Sequence, residues 1–149
     1  MRSAEGHYLL DLNALISLAD PDAQHYGAMQ RWFDIAGKHD WGVCPLTEAG
    51  FIRVTTNPRY TAAARTVAQA ATILQEFSRH PGYRYWPIRH SWAELTAPFT
   101  SRVQGHQQIT DAYLLGMAIQ RNGILVTFDR AIGYLAGSEF SPNLLILQP

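Results

Sequence analysis

Four acidic residues, Asp11, Glu48, Asp111 and Asp129, stand where the local pattern switches between a buried strand and a helix, or where a helix opens. Asp11 ends the apolar run Tyr8-Leu9-Leu10, and Asp129 ends Ile124-Leu125-Val126-Thr127-Phe128. Glu48 follows the short run Trp41-Gly42-Val43-Cys44, and Asp111 opens a helical stretch that reaches Gln120. In an open parallel α/β sheet the carboxyl ends of strands and the neighbouring helix starts line one crevice. Four carboxylates from distant parts of the chain can therefore meet at one point. Such a cluster repels itself unless a divalent cation neutralises it, and hard oxygen donors suit Mg2+ or Mn2+. The expected chemistry is metal-assisted.

Each of these residues also has an ordinary structural explanation. An Asp at a strand-to-helix junction most often caps the helix, although Asn13 can take that task and free Asp11. Glu48 is a first-turn acid favoured by the helix dipole, and so is Asp111, with Thr110 before it as a cap. Asp129 can be a turn former. The coincidence of all four at strand ends and helix starts favours a shared site.

Other chemistries find less support. The six histidines and Cys44 show no zinc-type spacing. The chain lacks a Gly-x-Gly-x-x-Gly run, a Walker lysine motif and a nucleophile elbow. Its single lysine, Lys38, lies in a polar turn, whereas phosphoaspartate enzymes rely on a lysine at a later strand end. Tyr83, Tyr85 and Trp86 can stack bases, but aromatics in a strand are more often core.

The elements that must position the acids follow from periodicity and punctuation. Strands are expected at Tyr8-Leu9-Leu10, at 41–44, at 83–88, at 124–128 and, along an edge, at 144–147. Helices are expected at about 13–18, 22–36, 62–77, 91–99 and 110–121, with a short one at 131–135. A further helix containing Glu48 should start at Thr47 as its cap and stop before Asn57-Pro58. Ser91 should cap its helix, and Asn122-Gly123 should supply a left-handed stop. Strands alternating with helices predict an α/β fold, a mostly parallel sheet covered on both faces.

With 149 residues, 47% apolar and 16% charged, the chain suits one folded domain spanning 1–149. The only cysteine is Cys44, which fits a reducing compartment. No apolar run approaches the ~20 residues of a membrane span, and residues 1–7 lack a signal-peptide core, so a cytoplasmic location is expected. Formal net charge is zero, yet between Phe51 and His106 seven arginines face two acids, a local balance of +5. Arginine is the better bidentate partner for phosphate. Beside an acidic metal cluster, Arg53, Arg84 and Arg89 become candidates for holding an RNA backbone.

Four blocks carry a resemblance to the PIN-domain family, and more narrowly to VapC-type toxins of toxin–antitoxin pairs. They are Leu9-Leu10-Asp11-Leu12-Asn13-Ala14-Leu15-Ile16, the run from Cys44 through Thr47-Glu48-Ala49-Gly50-Phe51 to Val54, Ile109-Thr110-Asp111-Ala112-Tyr113-Leu114, and Leu125-Val126-Thr127-Phe128-Asp129-Arg130. The resemblance implies a three-layer α/β/α sandwich, a Mg2+- or Mn2+-dependent ribonuclease, a homodimer, and inhibition by a small antitoxin protein. By position it assigns Asp11, Glu48, Asp111 and Asp129 to the acidic quartet. Asn13 and Thr127 fall beside that quartet, where they can orient carboxylates or bound water. The stretch 56–108 is where such proteins diverge, so the RNA target does not carry over. Two other classes stand against this reading: a non-catalytic RNA- or partner-binding module, and a metal-dependent phosphatase. The intact quartet argues against the first, and the missing strand-end lysine against phosphoaspartate forms of the second.

Overall fold

Short apolar runs that are buried on both faces become strands only where helices cover each side. The computed structural model, which describes residues 6–149, has four of them. In chain order the elements are β1 (Tyr8–Leu10), α1 (Leu12–Ala19), α2 (Tyr26–Ile35), β2 (Trp41–Gly42), α3 (Pro45–Thr55), α4 (Val67–Ser78), α5 (Trp92–Thr96), α6 (Ile109–Gln120), β3 (Ile124–Thr127), α7 (Ile132–Ala136) and β4 (Leu144–Ile146). The strands are parallel and ordered β2-β1-β3-β4, with Tyr8 opposite Trp41, Leu10 opposite Val126 and Thr127 opposite Ile146. β4 takes the edge expected of it.

Alternation along the strands divides the core in two. Leu9 and Leu125 pack with Leu95 of α5, Leu115 of α6 and Leu135 of α7. Tyr8, Leu10 and Val126 pack with Leu15 of α1, Met29 of α2, Phe51 of α3 and Ala70 of α4. The result is an α/β/α sandwich. Among the described residues, no helix is long and apolar enough to cross a membrane.

Several local expectations change. The segment 83–88 is no strand, since Tyr83 makes a single bridge with Trp41. Arg84 and Trp86 donate backbone bonds to Trp41 and Val43 (2.7 and 3.0 Å), and then Pro87, which has no N–H, follows. α3 starts at Pro45 rather than after Thr47, because proline is pre-shaped for a first helical position. α4 starts at Val67, where Thr66 and Gln69 form a reciprocal capping box. α2 begins at Tyr26, because residues after Pro21 turn on the Asp20 carboxylate, which accepts from the Asp22 N–H at 2.9 Å. Ser91 caps α5 as expected, accepting from the Glu94 N–H at 3.1 Å. Asn122, at φ 56°, ends α6 in the left-handed conformation.

α6 carries Asp111, and its seat against α5 depends on Gly116. A Cβ there would lie 2.6 Å from the Leu95 carbonyl oxygen, a backbone atom that cannot step aside. Gly116→Ala should therefore lower stability by about 1–3 kcal/mol. Urea unfolding would read this as a lower midpoint at unchanged slope.

Candidate active site

Asp11 follows β1 directly and is 5% exposed. A buried carboxylate needs donors, and it has two. Its Oδ1 accepts from the Ala14 N–H at 2.8 Å, and its Oδ2 from the Thr127 hydroxyl at 2.5 Å. Asp11 is thus itself the cap of α1. Asn13, expected to relieve it of that task, is exposed and makes no capping bond. Helix geometry explains the difference: the residue before the first turn has its side chain beside the free N–H groups, whereas Asn13 is already inside the helix.

Thr127 ends β3 fully buried. Its oxygen also accepts from the Asp129 N–H at 2.9 Å, so one hydroxyl connects the end of β1 to the turn after β3. Asp129 is exposed, and its Oδ1 accepts from the Ala131 N–H at 2.9 Å, the turn-forming role available to it. Asp111 stands in the first turn of α6, which starts at Ile109 without a side-chain cap. Thr110, expected to cap that helix, lies inside the turn instead.

Asp11, Asp111 and Asp129 line one cavity of about 270 Å³, together with Asn13, Thr110 and Arg53. Burial pushes the Asp11 carboxyl up to about 6; the bonds from Thr127 and Ala14 oppose this, and repulsion from Asp111 and Asp129 adds to it. Asp111 is likewise pushed up to about 6, by burial first and then by Asp129. The three carboxylates sense one another. Among the described residues, no three acidic, histidine or cysteine side chains are gathered tightly enough to hold an ion as they stand.

Glu48 is placed differently. α3 presents Leu46, Gly50 and Arg53 to the cavity, and Glu48 is not among its lining residues. Two residues along a helix is roughly 200° of rotation, which carries Glu48 away from the flank of Leu46. Its carboxylate lies near Tyr83 and Tyr85, where burial raises its own pKa. Burial, and then Glu48, push the Tyr83 hydroxyl up to about 12. The structure therefore brings together three of the four acids singled out in the sequence, with Asn13 and Thr127 beside them.

The basic candidates also separate. Arg53 reaches the acidic cavity, its Nη2 3.8 Å from where a Cβ on Gly50 would stand. Among the described residues it makes no ion pair with the aspartates. Arg84 is exposed and donates to the carbonyls of Pro81 and Tyr83 (3.0 and 2.9 Å). Arg89 lines a different cavity, at the far end of α6. Thr110 and Thr47 also line the acidic cavity, and sequence reasoning treated both only as caps. Their position next to Asp111 and Glu48 was the available signal.

The family model described as PIN domain matches residues 8–137, so the chain belongs to the PIN-domain family. Within that class it is similar to Ribonuclease VapC38 of Mycobacterium tuberculosis (strain ATCC 25618 / H37Rv). Those two are 38% identical over 128 residues, 86% of this chain and 89% of the relative. Ribonuclease VapC39 of Mycobacterium tuberculosis (strain CDC 1551 / Oshkosh) is 35% identical over 124 residues, 83% and 89% of the two chains. In fold the chain is similar to VapBC2 from Rickettsia felis, solved bound to a promoter DNA fragment (TM-score 0.64, 12% identity, 95% and 98% covered). It is also similar to FitAcB from Neisseria gonorrhoeae (TM-score 0.58, 19% identity, 95% and 97% covered).

The raised pKa of Asp11 has a sign for stability. Folding holds a proton that the unfolded chain releases, so this contribution is fully present below pH 3.8 and lost as pH rises through about 6. That interval corresponds to about 3 kcal/mol. In Asp11→Asn the amide oxygen keeps the cap acceptor and no charge is buried. In EDTA at pH 7 this variant should match or exceed the wild type by up to about 3 kcal/mol, with the advantage vanishing near pH 4. Urea unfolding across that range checks it; a variant that is much weaker at pH 7 would leave capping as the sole role of Asp11.

Proposed function

We propose that this protein is a divalent-metal-dependent endoribonuclease and the toxin of a toxin–antitoxin pair. The observation that carries the reading is one cavity lined by Asp11, Asp111, Asp129 and Arg53 in a PIN-family chain whose relatives are named ribonucleases. The donor set fits Mg2+ or Mn2+: three hard carboxylates, two of them held back from ionising by burial and by their neighbours. When bound, such an ion lowers the pKa of water and stabilises charge developing on a phosphate.

The chain's own residues supply the rest. Ala14 and Thr127 lock the Asp11 carboxylate in one orientation, so it needs no reordering to act as a ligand. Asp111 and Asp129 complete the ligand set from α6 and from the turn after β3. Asn13, exposed on the wall of the cavity, offers an amide to the substrate or to ordered water. Arg53, which makes no ion pair among the described residues, is a planar cation able to take phosphate oxygens in two parallel hydrogen bonds. Glu48 does not line this cavity, so ligation is assigned to the three aspartates.

The partner belongs to the same proposal. VapBC2 and FitAB, both similar in fold, are named as paired assemblies and were solved on DNA. A small antitoxin covering this protein, and a homodimer of it, are the expected assemblies.

Incubating RNA and, separately, a phosphatase substrate with the protein tests the activity. RNA should be cut with Mg2+ or Mn2+ and spared in EDTA. Asp111→Asn should lose more than about a hundredfold in rate, since even residues behind a metal ligand cost 10–100-fold when mutated. Metal-dependent hydrolysis of the phosphatase substrate alone, or full RNA cleavage by Asp111→Asn, would reject the reading.

Arg53→Gln should weaken RNA binding about tenfold, the worth of one charge-assisted contact, and flatten its salt dependence. Metal affinity should not change. Salt-titrated binding identical to that of the wild type would remove Arg53 from the substrate path.

A further inference from the structure

α6 has a second cavity at its other end. It measures about 160 Å³ and is lined by Arg89, His90, Leu95, Met117, Gln120 and Arg121, with Pro87. No acid lines it. Of its lining residues His90 has a carboxylate partner, Glu94, which faces its Nδ1 at 3.4 Å and is itself well exposed. Arg121 lies ten residues beyond Asp111, about 15 Å along the helix axis, so one phosphate cannot engage both cavities.

Arg121 is not a loose surface cation. Its guanidinium carbon sits 4.8 Å from the centre of the Trp86 ring, and Trp86 is fully buried. His7 stacks on the same indole at 4.7 Å and is in turn held by the Asp40 carboxylate at 3.2 Å. This series sets the guanidinium against a buried, itself supported ring. One of its nitrogens, Nη1, is buried without a hydrogen-bond partner among the described residues. Nη1 itself is closed off, so an incoming anion meets the rest of the Arg121 side chain, which lines the cavity. The carboxyl end of α6 contributes about half a negative charge, which the two arginines outweigh. Apolar walls from Leu95, Met117 and Pro87 strengthen whatever ion pair forms between them.

We propose that this cavity binds one phosphate group, clamped between Arg89 and a stacked Arg121, with Gln120 as an additional donor. Guanidinium pairs match phosphate oxygens in planar, bidentate fashion, and the volume suits one such group rather than a whole nucleotide. The group comes either from a nucleic-acid strand passing the far end of α6 or from a free phosphate compound. The site is independent of the metal-dependent chemistry proposed for the aspartates.

Calorimetric titration of the full chain in EDTA tests it, with inorganic phosphate in one arm and a short RNA in the other. Phosphate should bind saturably, and equally well to the wild type and to Asp111→Asn. Arg89→Gln, at an exposed position that leaves the Trp86 stack in place, should weaken phosphate at least tenfold, and Arg121→Gln should do the same. A parallel loss in the RNA arm identifies a strand phosphate as the ligand; a loss confined to the phosphate arm identifies a free one. Absence of saturable phosphate binding, or unchanged binding in Arg89→Gln, would overturn the proposal.

Discussion

A carboxylate buried beside two others is the constraint around which this fold is arranged. Asp11 sits at the end of β1 with almost no access to water, and without donors its ionised form would be untenable there. The Ala14 N–H and the Thr127 hydroxyl supply those donors, and each comes from an element whose position depends on the sheet. Thr127 reaches Asp11 only because β3 lies next to β1 in parallel register, with Leu10 opposite Val126. Register, helix start and carboxylate orientation are thus one problem with one solution. A slip of β3 by a single residue would turn Thr127 to the other face and leave Asp11 unsatisfied.

Much of this was readable from residue types. Continuous apolar runs at Tyr8–Leu10 and Ile124–Thr127 announce strands covered on both faces, and an acid one or two residues after each marks the crevice side. What the pattern does not carry is azimuth around a helix. Glu48 stands in the right block and the right order, yet the packing of Thr47, Gly50 and Phe51 against the rest of the protein sets the roll of α3. That roll points Arg53 at the aspartates and Glu48 at the tyrosines.

Counting charge along the chain has the same blind spot. Arg53, Arg84 and Arg89 belong to one basic tract in sequence but part from one another in space. Arg53 overlooks the acids, Arg84 folds onto its own loop and Arg89 faces the far end of α6. Residue type alone does not say which of two nearby polar residues caps a helix. The residue just before the first turn wins over one already inside the helix, as Asp11 does over Asn13.

The missing side chain of Gly42 has a consequence beyond local packing. A Cβ there would fall 1.7 Å from the Arg84 carbonyl oxygen, so glycine alone lets the 83–86 segment lie against β2. That segment takes up the outward-facing carbonyls of Trp41 and Val43 without becoming a strand, and Pro87 ends it before a new ladder can grow. The sheet is thereby closed on this side to strands from other molecules. A chain with so hydrophobic a border gains protection against aggregation from one hydrogen atom where a methyl group would otherwise stand.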